Sequence, residues 1–288
     1  TNHTGIWVAK EKGYFEENGL DVEILPAPEG STTQLIGSGK SQFGISFQDE
    51  LGTYFSKDEK LPVTVLAAIL QHNTAGIMTL KDGSINSPKD LSGKTYSTWE
   101  DKIDDATVKK VIEIDGGNYS KVSLAPGETT DAITGLKAKL FDFILVYEGW
   151  DYTNAIIKNE QVNFFRLKDY VPEFDYYSPV LIANNDFLAN DEETAKKVLK
   201  AIRKGYEFAS KNPEQAADIL IKNAPESNAN LVRESQKFMS KQYMDENNKW
   251  GVINADRWNA FYNWLYENKI IDTKIEENKG FTNKYLEN

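Results

Sequence analysis

The stretch TNHTGIWVAKEKGYFEENGLDVEILP, residues 1–26, carries the first indication of the fold, because a helix pattern passes directly into a strand pattern. Helical spacing predicts one apolar helix face, made by Ile6, Trp7, Ala9, Tyr14 and Phe15. Gly19 is predicted to end the helix, and the alternating polarity that follows predicts a strand at residues 22–25. A helix followed by a strand is the repeating unit of an α/β protein.

The residues in front of this helix are candidates for binding. Asn2, His3 and Thr4 lie at its predicted N-terminus, where unpaired N–H groups and the positive end of the helix dipole suit a small polar ligand. The alternative is that Asn2 or Thr4 caps the helix. Local sequence leaves both interpretations open.

Composition excludes several classes of function. Among 288 residues, 33 Lys and Arg are dispersed among 44 Asp and Glu, and a net charge of -11 argues against nucleic-acid binding. The absence of cysteine excludes thiolate metal sites, iron–sulfur clusters and cysteine nucleophiles. With His3 and His72 as the two histidines, an imidazole-rich metal site is not expected, and we predict no cofactor.

Helix and strand signals alternate through the first half of the chain, which predicts two α/β lobes. The region from residue 191 to the C-terminus is predicted to be mostly helical and to pack around one lobe. Further strands are predicted at 43–47, 63–68, 95–97, 122–125 and 141–147, and further helices at 32–37, 106–114 and 130–136.

Two segments, residues 34–50 and 131–151, echo each other as a short helix, a turn, a strand and then carboxylates. Ligands of open α/β sheets bind outside the carboxyl ends of the strands. We therefore expect one set of polar and aromatic residues from each lobe to face a shared cleft, namely Gln48, Asp49 and Glu50 with Tyr147, Glu148 and Trp150. The alternative, that these residues merely begin solvated loops, stays open.

The motif GSGKS at residues 37–41 has the end of a phosphate-binding loop but not its context. The position of the leading glycine holds Gln34, and a strand rather than a helix follows the motif. No other catalytic motif follows a predicted strand. The sequence therefore favours binding over catalysis.

Aromatic and polar side chains are concentrated at predicted turns: QHNTAG around Asn73, YSTWED around Trp99, VYEGWD around Glu148 and EFDYYSPV around Tyr177. Aromatic faces stack on flat rings, and amide or carboxylate groups pair with the edge of a heterocycle. A single aromatic residue is more often part of a core. Four such clusters together favour a ligand site.

Four segments carry a family resemblance: NHTGIWVAKEKGYFEENGLDVEI (2–24), LIGSGKSQFGIS (35–46), LQHNTAGIMTLKDGSINSPKDLSGKTY (70–96) and YYSPVLIANNDFL (176–188). They closely resemble the substrate-binding proteins of ABC importers for thiamine pyrimidine precursors, within the wider nitrate, sulfonate and taurine group. The resemblance implies an α/β, type II periplasmic-binding-protein fold with a ligand cleft between two lobes. We predict residues 1–82 with 180–288 as lobe 1, and 83–179 as lobe 2.

The resemblance also implies roles for individual residues. Glu148 is expected to read the edge of an aminopyrimidine, Asn2 to add a polar contact, and Trp99 and Tyr177 to form an aromatic pair. His3 is expected to hydrogen-bond or to cap the first helix. The predicted ligand-binding residues are together Asn2, His3, Gln48, Glu50, Asn73, Trp99, Tyr147, Glu148 and Tyr177.

The function implied by the resemblance is binding without catalysis. The expected ligand is hydroxymethylpyrimidine or formylaminopyrimidine, held by closure of the lobes and delivered to ABC permease subunits in the membrane. A monomer outside the cytoplasm is expected, either periplasmic or lipid-anchored on the outer face of the cytoplasmic membrane. Members of the family carry a strand before the Asn-His pair, so further residues upstream of Thr1 are expected as well.

Two alternatives differ in ligand or in class. An alkanesulfonate, taurine or nitrate carrier would need cations near its anion, whereas Glu50 and Glu148 follow the predicted strands. A pyrimidine synthase of thiamine biosynthesis resembles this chain in LIGSGK and GYF, with a histidine at the place of His3. That enzyme carries cysteines near the segment matching FDYYSPV, where this chain has none.

Overall fold

A computed structural model describes residues 1–57, 61–127 and 131–286. The chain divides into two compact units: unit 1 contains Thr1–His72 and Tyr176–Asn288, and unit 2 contains Asn73–Asp175. These boundaries differ from the predicted ones at 82/83 and 179/180. The reason is the strand Ala75–Leu80, which hydrogen-bonds to strands of unit 2 on both of its sides.

The secondary structure follows an α/β order. The strands are β1 (Phe43–Ser46), β2 (Val63–Ala68), β3 (Ala75–Leu80), β4 (Thr95–Thr98), β5 (Ser123–Pro126), β6 (Phe143–Tyr147), β7 (Val162–Arg166) and β8 (Val180–Asn184). The helices are α1 (Thr4–Glu11), α2 (Thr32–Gly37), α3 (Gln48–Phe55), α4 (Lys102–Ile114), α5 (Ala132–Lys137), α6 (Thr153–Ile157), α7 (Leu167–Tyr170), α8 (Asn185–Asn190), α9 (Glu192–Lys211), α10 (Pro213–Asn223), α11 (Ala229–Met239) and α12 (Ala255–Glu267).

Unit 1 is built on the sheet β1-β8-β2, in which β8 lies between two antiparallel neighbours. All five residues of β8 are buried, as expected for a central strand covered on both faces. Helix α9 carries an apolar stripe and packs on α1, so the two helices bury Val8 and Ala9 together with Ile202. Tyr206 of α9 donates a 2.6 Å hydrogen bond to the carbonyl of Asn2 and so fixes the chain in front of α1.

Unit 2 is built on the five-stranded sheet β5-β4-β6-β3-β7. Strand β4 is parallel to β5 and β6, whereas β3 is antiparallel to β6 and β7. A buried cluster on this sheet joins Met78, Ile144 and Val146 to Ile133 and Leu136 of α5. The parallel pairing brings the carboxyl ends of β4 and β6 to one edge.

Most predicted elements are confirmed to within a few residues, including the helical region after residue 191. The first helix was predicted to end at Gly19 but ends at Glu11, because Gly13 takes a positive φ that breaks it. The predicted helix at 130–136 appears as Ala132–Lys137, and Thr130 lies outside the described residues. Strand 22–25 is not formed. Val22 and Ile24 are half-buried and Glu23 and Leu25 exposed, but none of the strands in the described part of the chain pairs with them. The prediction was wrong because alternation shows a pleated pattern but supplies no hydrogen-bonding partner.

No helix within the described part of the chain combines the length and the apolar character needed to cross a bilayer.

Candidate functional site

The carboxyl edge of β4 and β6 in unit 2 carries exposed aromatic side chains. Ser97 of β4 lies opposite Ile144 of β6 in parallel register, so Trp99 and Tyr147 emerge at the same edge. The indole Nε1 of Trp99 donates to the carbonyl of Leu145 at 3.3 Å, which holds the ring beside β6. Trp99 is 51% exposed, Tyr147 43% and Trp150 38%. Large rings this exposed are candidate stacking surfaces.

A π-helix, Glu148–Tyr152, follows β6 directly. Such wide turns are rare in proteins and frequently occur at functional sites. The backbone N–H of Glu148 donates to Thr74 at 2.9 Å, and its carbonyl accepts from the hydroxyl of Thr153 at 2.8 Å. These bonds fix the backbone of Glu148 at the edge that carries Trp99 and Tyr147.

The carboxylate of Glu148 is engaged by a guanidinium. Glu148 is 8% exposed, and Nε of Arg166 donates to its Oε2 at 2.6 Å. A second bond joins Nη2 of Arg166 to Oε1, so the pair is bidentate. The hydrogen bonds that Arg166 donates to Glu148 raise the pKa of the Arg166 guanidinium above its ordinary value. The site therefore presents an oriented carboxylate whose charge is matched by a cation.

Asp151, one turn after Glu148, is half-buried in the same π-helix. Burial raises the pKa of its carboxyl from 3.8 to about 6, and the nearby charge of Asp131 adds to the effect. The ionised form is thus disfavoured in the folded protein.

We predict that the contribution of Asp151 to the unfolding free energy falls as the pH rises from about 4 to 7, while the lowered pKa of His3 acts in the opposite direction. The proton of Asp151 is held more tightly in the folded state, so stability is lost as pH rises from the unfolded pKa of 3.8 through about 6. Asp151→Asn should remove about 1–2 kcal/mol of this loss. Urea unfolding at several pH values measures it, with the exposed Asp272→Asn as control. Equal pH slopes in Asp151→Asn and the wild type would contradict the assignment.

Asn73 is placed inside unit 2 rather than on its surface. Its Nδ2 donates to the carbonyl of Phe174 and its Oδ1 accepts from the N–H of Ala75, both at 2.9 Å, and the residue is 1% exposed. Its own N–H donates to Asp175 at 2.9 Å. The amide predicted to contact ligand instead ties together the two ends of unit 2.

Gln48 and Tyr177 are buried within unit 1. The amide of Gln48 donates to the carbonyl of Trp258 at 3.0 Å and accepts from the N–H of Tyr177 at 2.8 Å. Tyr177 is 1% exposed, and its hydroxyl accepts from the N–H of Asn254 at 2.9 Å. The guanidinium of Arg257 lies 5.0 Å from the Tyr177 ring. The predicted stacking and amide contacts therefore lack an exposed surface, because both groups are used by the fold of unit 1.

Glu50 lies in the first turn of α3 and is half-buried. One carboxylate oxygen accepts from the hydroxyl of Ser31 at 2.7 Å and the other from that of Ser46 at 3.1 Å. These bonds join α2 and β1 to α3. Glu50 thus has a structural role beside any role in binding.

Asn2 and His3 lie at the start of α1, as predicted. His3 is the N-cap but makes no capping bond with its side chain, and Thr4 donates its hydroxyl to the carbonyl of Thr1 at 2.8 Å. The alternative that Asn2 or Thr4 caps α1 is therefore wrong, since the N-cap position is held by His3. The imidazole of His3 is exposed but surrounded by protein on other sides, and this desolvation lowers its pKa to about 4.

Over the described ranges, no cluster of three or more His, Cys, Asp or Glu could hold a metal ion.

Arg166 was missed by the sequence analysis. Trp150 was expected to face the cleft but was not counted among the predicted ligand-binding residues. The available signal for Arg166 was the segment VNFFR at residues 162–166, a short β-branched and aromatic run ending in a cation. Its pairing with Glu148 depends on the strand order β6-β3-β7.

The geometry can be compared with known proteins. A family model described as NMT1/THI5 like matches residues 1–216. A formylaminopyrimidine-binding protein of Halalkalibacterium halodurans is 28% identical over 286 residues, covering 97% of this chain and 86% of the relative. A 4-amino-5-hydroxymethyl-2-methylpyrimidine phosphate synthase of Legionella pneumophila is 26% identical over 305 residues, covering 99% of this chain and 88% of that protein.

The fold also matches solved structures. The periplasmic aliphatic sulphonate-binding protein SsuA from Escherichia coli aligns with a TM-score of 0.74 at 12% identity, covering 99% of this chain and 96% of that one. At such low identity the match concerns the fold alone. It confirms the predicted periplasmic-binding-protein fold.

Proposed function

Because this chain belongs to the NMT1/THI5-like family, we propose that it is the solute-binding protein of an ABC importer and binds an aminopyrimidine precursor of thiamine. The relative from Halalkalibacterium halodurans, whose name states that it binds formylaminopyrimidine, supports this ligand class. The proposal includes an extracytoplasmic location, a membrane permease as partner and ligand-driven closure of the two units.

One observation carries the ligand class: a buried, oriented carboxylate lies at an edge lined by exposed aromatic rings. Glu148 is 8% exposed, whereas Trp99 and Tyr147 beside it are 51% and 43% exposed. A flat heterocycle stacked on such a ring places its edge against a polar group, and a carboxylate accepts the N–H of an exocyclic amine. Stacking thus supplies affinity, and Glu148 supplies the selectivity for an amine.

An anion carrier is the first alternative, and Arg166 bears on it directly. The carboxylate of Glu148 argued against an anion, but its charge is matched by the guanidinium at 2.6 Å. The carboxylate still occupies Nε and Nη2 of the guanidinium, so an anion would have to displace it from these two donors. We therefore retain the neutral aminopyrimidine as the proposed ligand.

A synthase is the alternative of another class, since relatives with synthase names match nearly the whole chain. We propose binding without chemistry. No cysteine occurs in the sequence. Within the described residues, His3 belongs to no group of three or more His, Cys, Asp or Glu side chains that could hold a metal ion. A bound pyrimidine is therefore expected to be released with its mass unchanged.

Thermal melting with a small ligand panel tests the proposal. A ligand that binds only the folded state stabilises it by RT ln(1 + [L]/Kd), about 2.7 kcal/mol at 100 times Kd. We expect hydroxymethylpyrimidine or formylaminopyrimidine to raise Tm by several degrees, and taurine, an alkanesulfonate and nitrate to leave it unchanged. A rise with an anion alone would support the anion carrier instead. Mass spectrometry of the released ligand tests for chemistry.

A further inference from the structure

We propose that Arg166 is a positioning residue that fixes the Glu148 carboxylate as a pure hydrogen-bond acceptor, so that the site selects heterocycles presenting an N–H donor. This inference rests on the proposed function, because it concerns how the same site chooses among pyrimidines. It requires no contact between Arg166 and the ligand.

The contacts of Arg166 define the orientation of Glu148. The guanidinium donates Nε–H to Oε2 at 2.6 Å and an Nη2 hydrogen to Oε1, which fixes the plane of the carboxylate. Its Nη1 lies 3.9 Å from the carboxylate of Asp169 on the other side. Arg166 is thus held between two acidic groups, and the fork geometry allows little rotation of Glu148.

The sheet brings these two groups together across an intervening strand. Gly76 of β3 lies opposite both Val146 of β6 and Arg166 of β7. A Cβ at Gly76 would lie 2.5 Å from Cζ of Phe164. Glycine at this position therefore leaves room for the Phe164 ring on this face of the sheet. Arg166 follows Phe164 by two residues in β7, which puts both side chains on this face by the period of a strand. Glu148 begins the π-helix directly after β6, and its carboxylate meets Arg166 there.

The remaining hydrogen-bonding capacity of Glu148 sets the selectivity. An ionised carboxylate accepts at about four lone-pair sites, of which Arg166 uses one on each oxygen. The free sites can accept the N–H of an exocyclic amine. A ligand group that only accepts hydrogen bonds, such as an ether oxygen, finds no donor on an ionised carboxylate.

Two ligands test this selectivity: 4-amino-5-hydroxymethyl-2-methylpyrimidine and its 4-methoxy analogue. In the analogue the amine is replaced by a methoxy group, which can accept a hydrogen bond but cannot donate one. Calorimetric Kd values for both are measured in the wild type, Arg166→Gln and Arg166→Lys. The matched control is Arg233→Gln, which removes an arginine from the exposed ion pair with Asp218 in unit 1. Urea unfolding establishes that each variant is folded.

We expect the wild type and Arg233→Gln to prefer the amine by about 100-fold or more, as sites built around a hydrogen bond do. In Arg166→Gln the preference should fall below about tenfold, chiefly through tighter binding of the methoxy analogue relative to the amine. Arg166→Lys keeps the charge but not the fork and should be intermediate.

The outcomes separate this inference from the proposed function. An unchanged preference in Arg166→Gln, with both affinities reduced equally, would show a merely structural role and overturn the inference alone. If Arg166→Gln does not fold, the same criterion applies to Arg166→Lys. A wild type that binds neither pyrimidine would overturn the proposed function and this inference with it.

Discussion

Replacing Glu148 with glutamine is expected to weaken aminopyrimidine binding by about 100-fold or more while leaving the empty protein folded. Hydrogen bonds to a charged group contribute about 1.5–3 kcal/mol each, and a 100-fold change in Kd corresponds to about 2.7 kcal/mol. Glutamine keeps the size of the side chain but replaces one acceptor oxygen with an amide donor. The exocyclic amine of the ligand would then face a poorer acceptor.

Little change in the stability of the empty Glu148→Gln protein is expected, for a reason visible in the structure. The side chain of Arg166 is 40% exposed and keeps Asp169 at 3.9 Å, so it is not left as an isolated buried charge. The matched control is Glu113→Gln, an exposed residue of α4 in the same unit. Calorimetry with both variants decides the point: an affinity in Glu148→Gln within threefold of the wild type would remove Glu148 from the site.

Replacing Trp99 with alanine is expected to weaken binding by about 50-fold, because aromatic stacking on a base contributes about 1–3 kcal/mol. Trp99 is 51% exposed and makes one long hydrogen bond, at 3.3 Å to Leu145, so its removal should change stability by less than about 0.5 kcal/mol. Trp99→Phe retains a stacking ring and should recover most of the affinity.

Tryptophan emission gives a second signal for Trp99. Ligand binding in the wild type should change the emission, and Trp99→Ala should lose most of that change, with Trp150 at the same edge contributing the remainder. The control is Tyr266→Ala, an aromatic residue of α12 in unit 1 that is 40% exposed. A wild-type emission response that persists in full in Trp99→Ala would place this ring outside the site.

The sequence was sufficient to predict the α/β alternation and the position of exposed rings at strand ends. Strands such as β2 and β6 are nearly continuous apolar runs, and the rule that ligands bind at carboxyl ends then selects Tyr147 and Glu148 after β6. Trp99 was selected by the aromatic residues at predicted turns. These inferences need only local periodicity and a topological rule.

The pairing partners of polar groups could not be predicted in the same way. Gln48 and Tyr177 resemble ligand-binding residues in sequence, but Trp258 and Asn254 satisfy them from far along the chain. A buried polar side chain is used either by the fold or by a ligand, and the local sequence does not distinguish the two.

The same limit explains why Arg166 was missed. Glu148 and Arg166 are 18 residues apart and meet only because β3 lies between β6 and β7. Strand order within a sheet is a property of the whole unit, whereas the segment around Arg166 shows no more than a short strand ending in a cation.

Calorimetric titration of the wild-type protein, freed of retained ligand by unfolding and refolding, tests the central claim most directly. The ligands are hydroxymethylpyrimidine and formylaminopyrimidine, with taurine as the control. We predict saturable one-to-one binding of at least one pyrimidine at micromolar Kd or tighter, about -8 kcal/mol, and no heat of binding with taurine. Binding of taurine without binding of either pyrimidine would contradict the account.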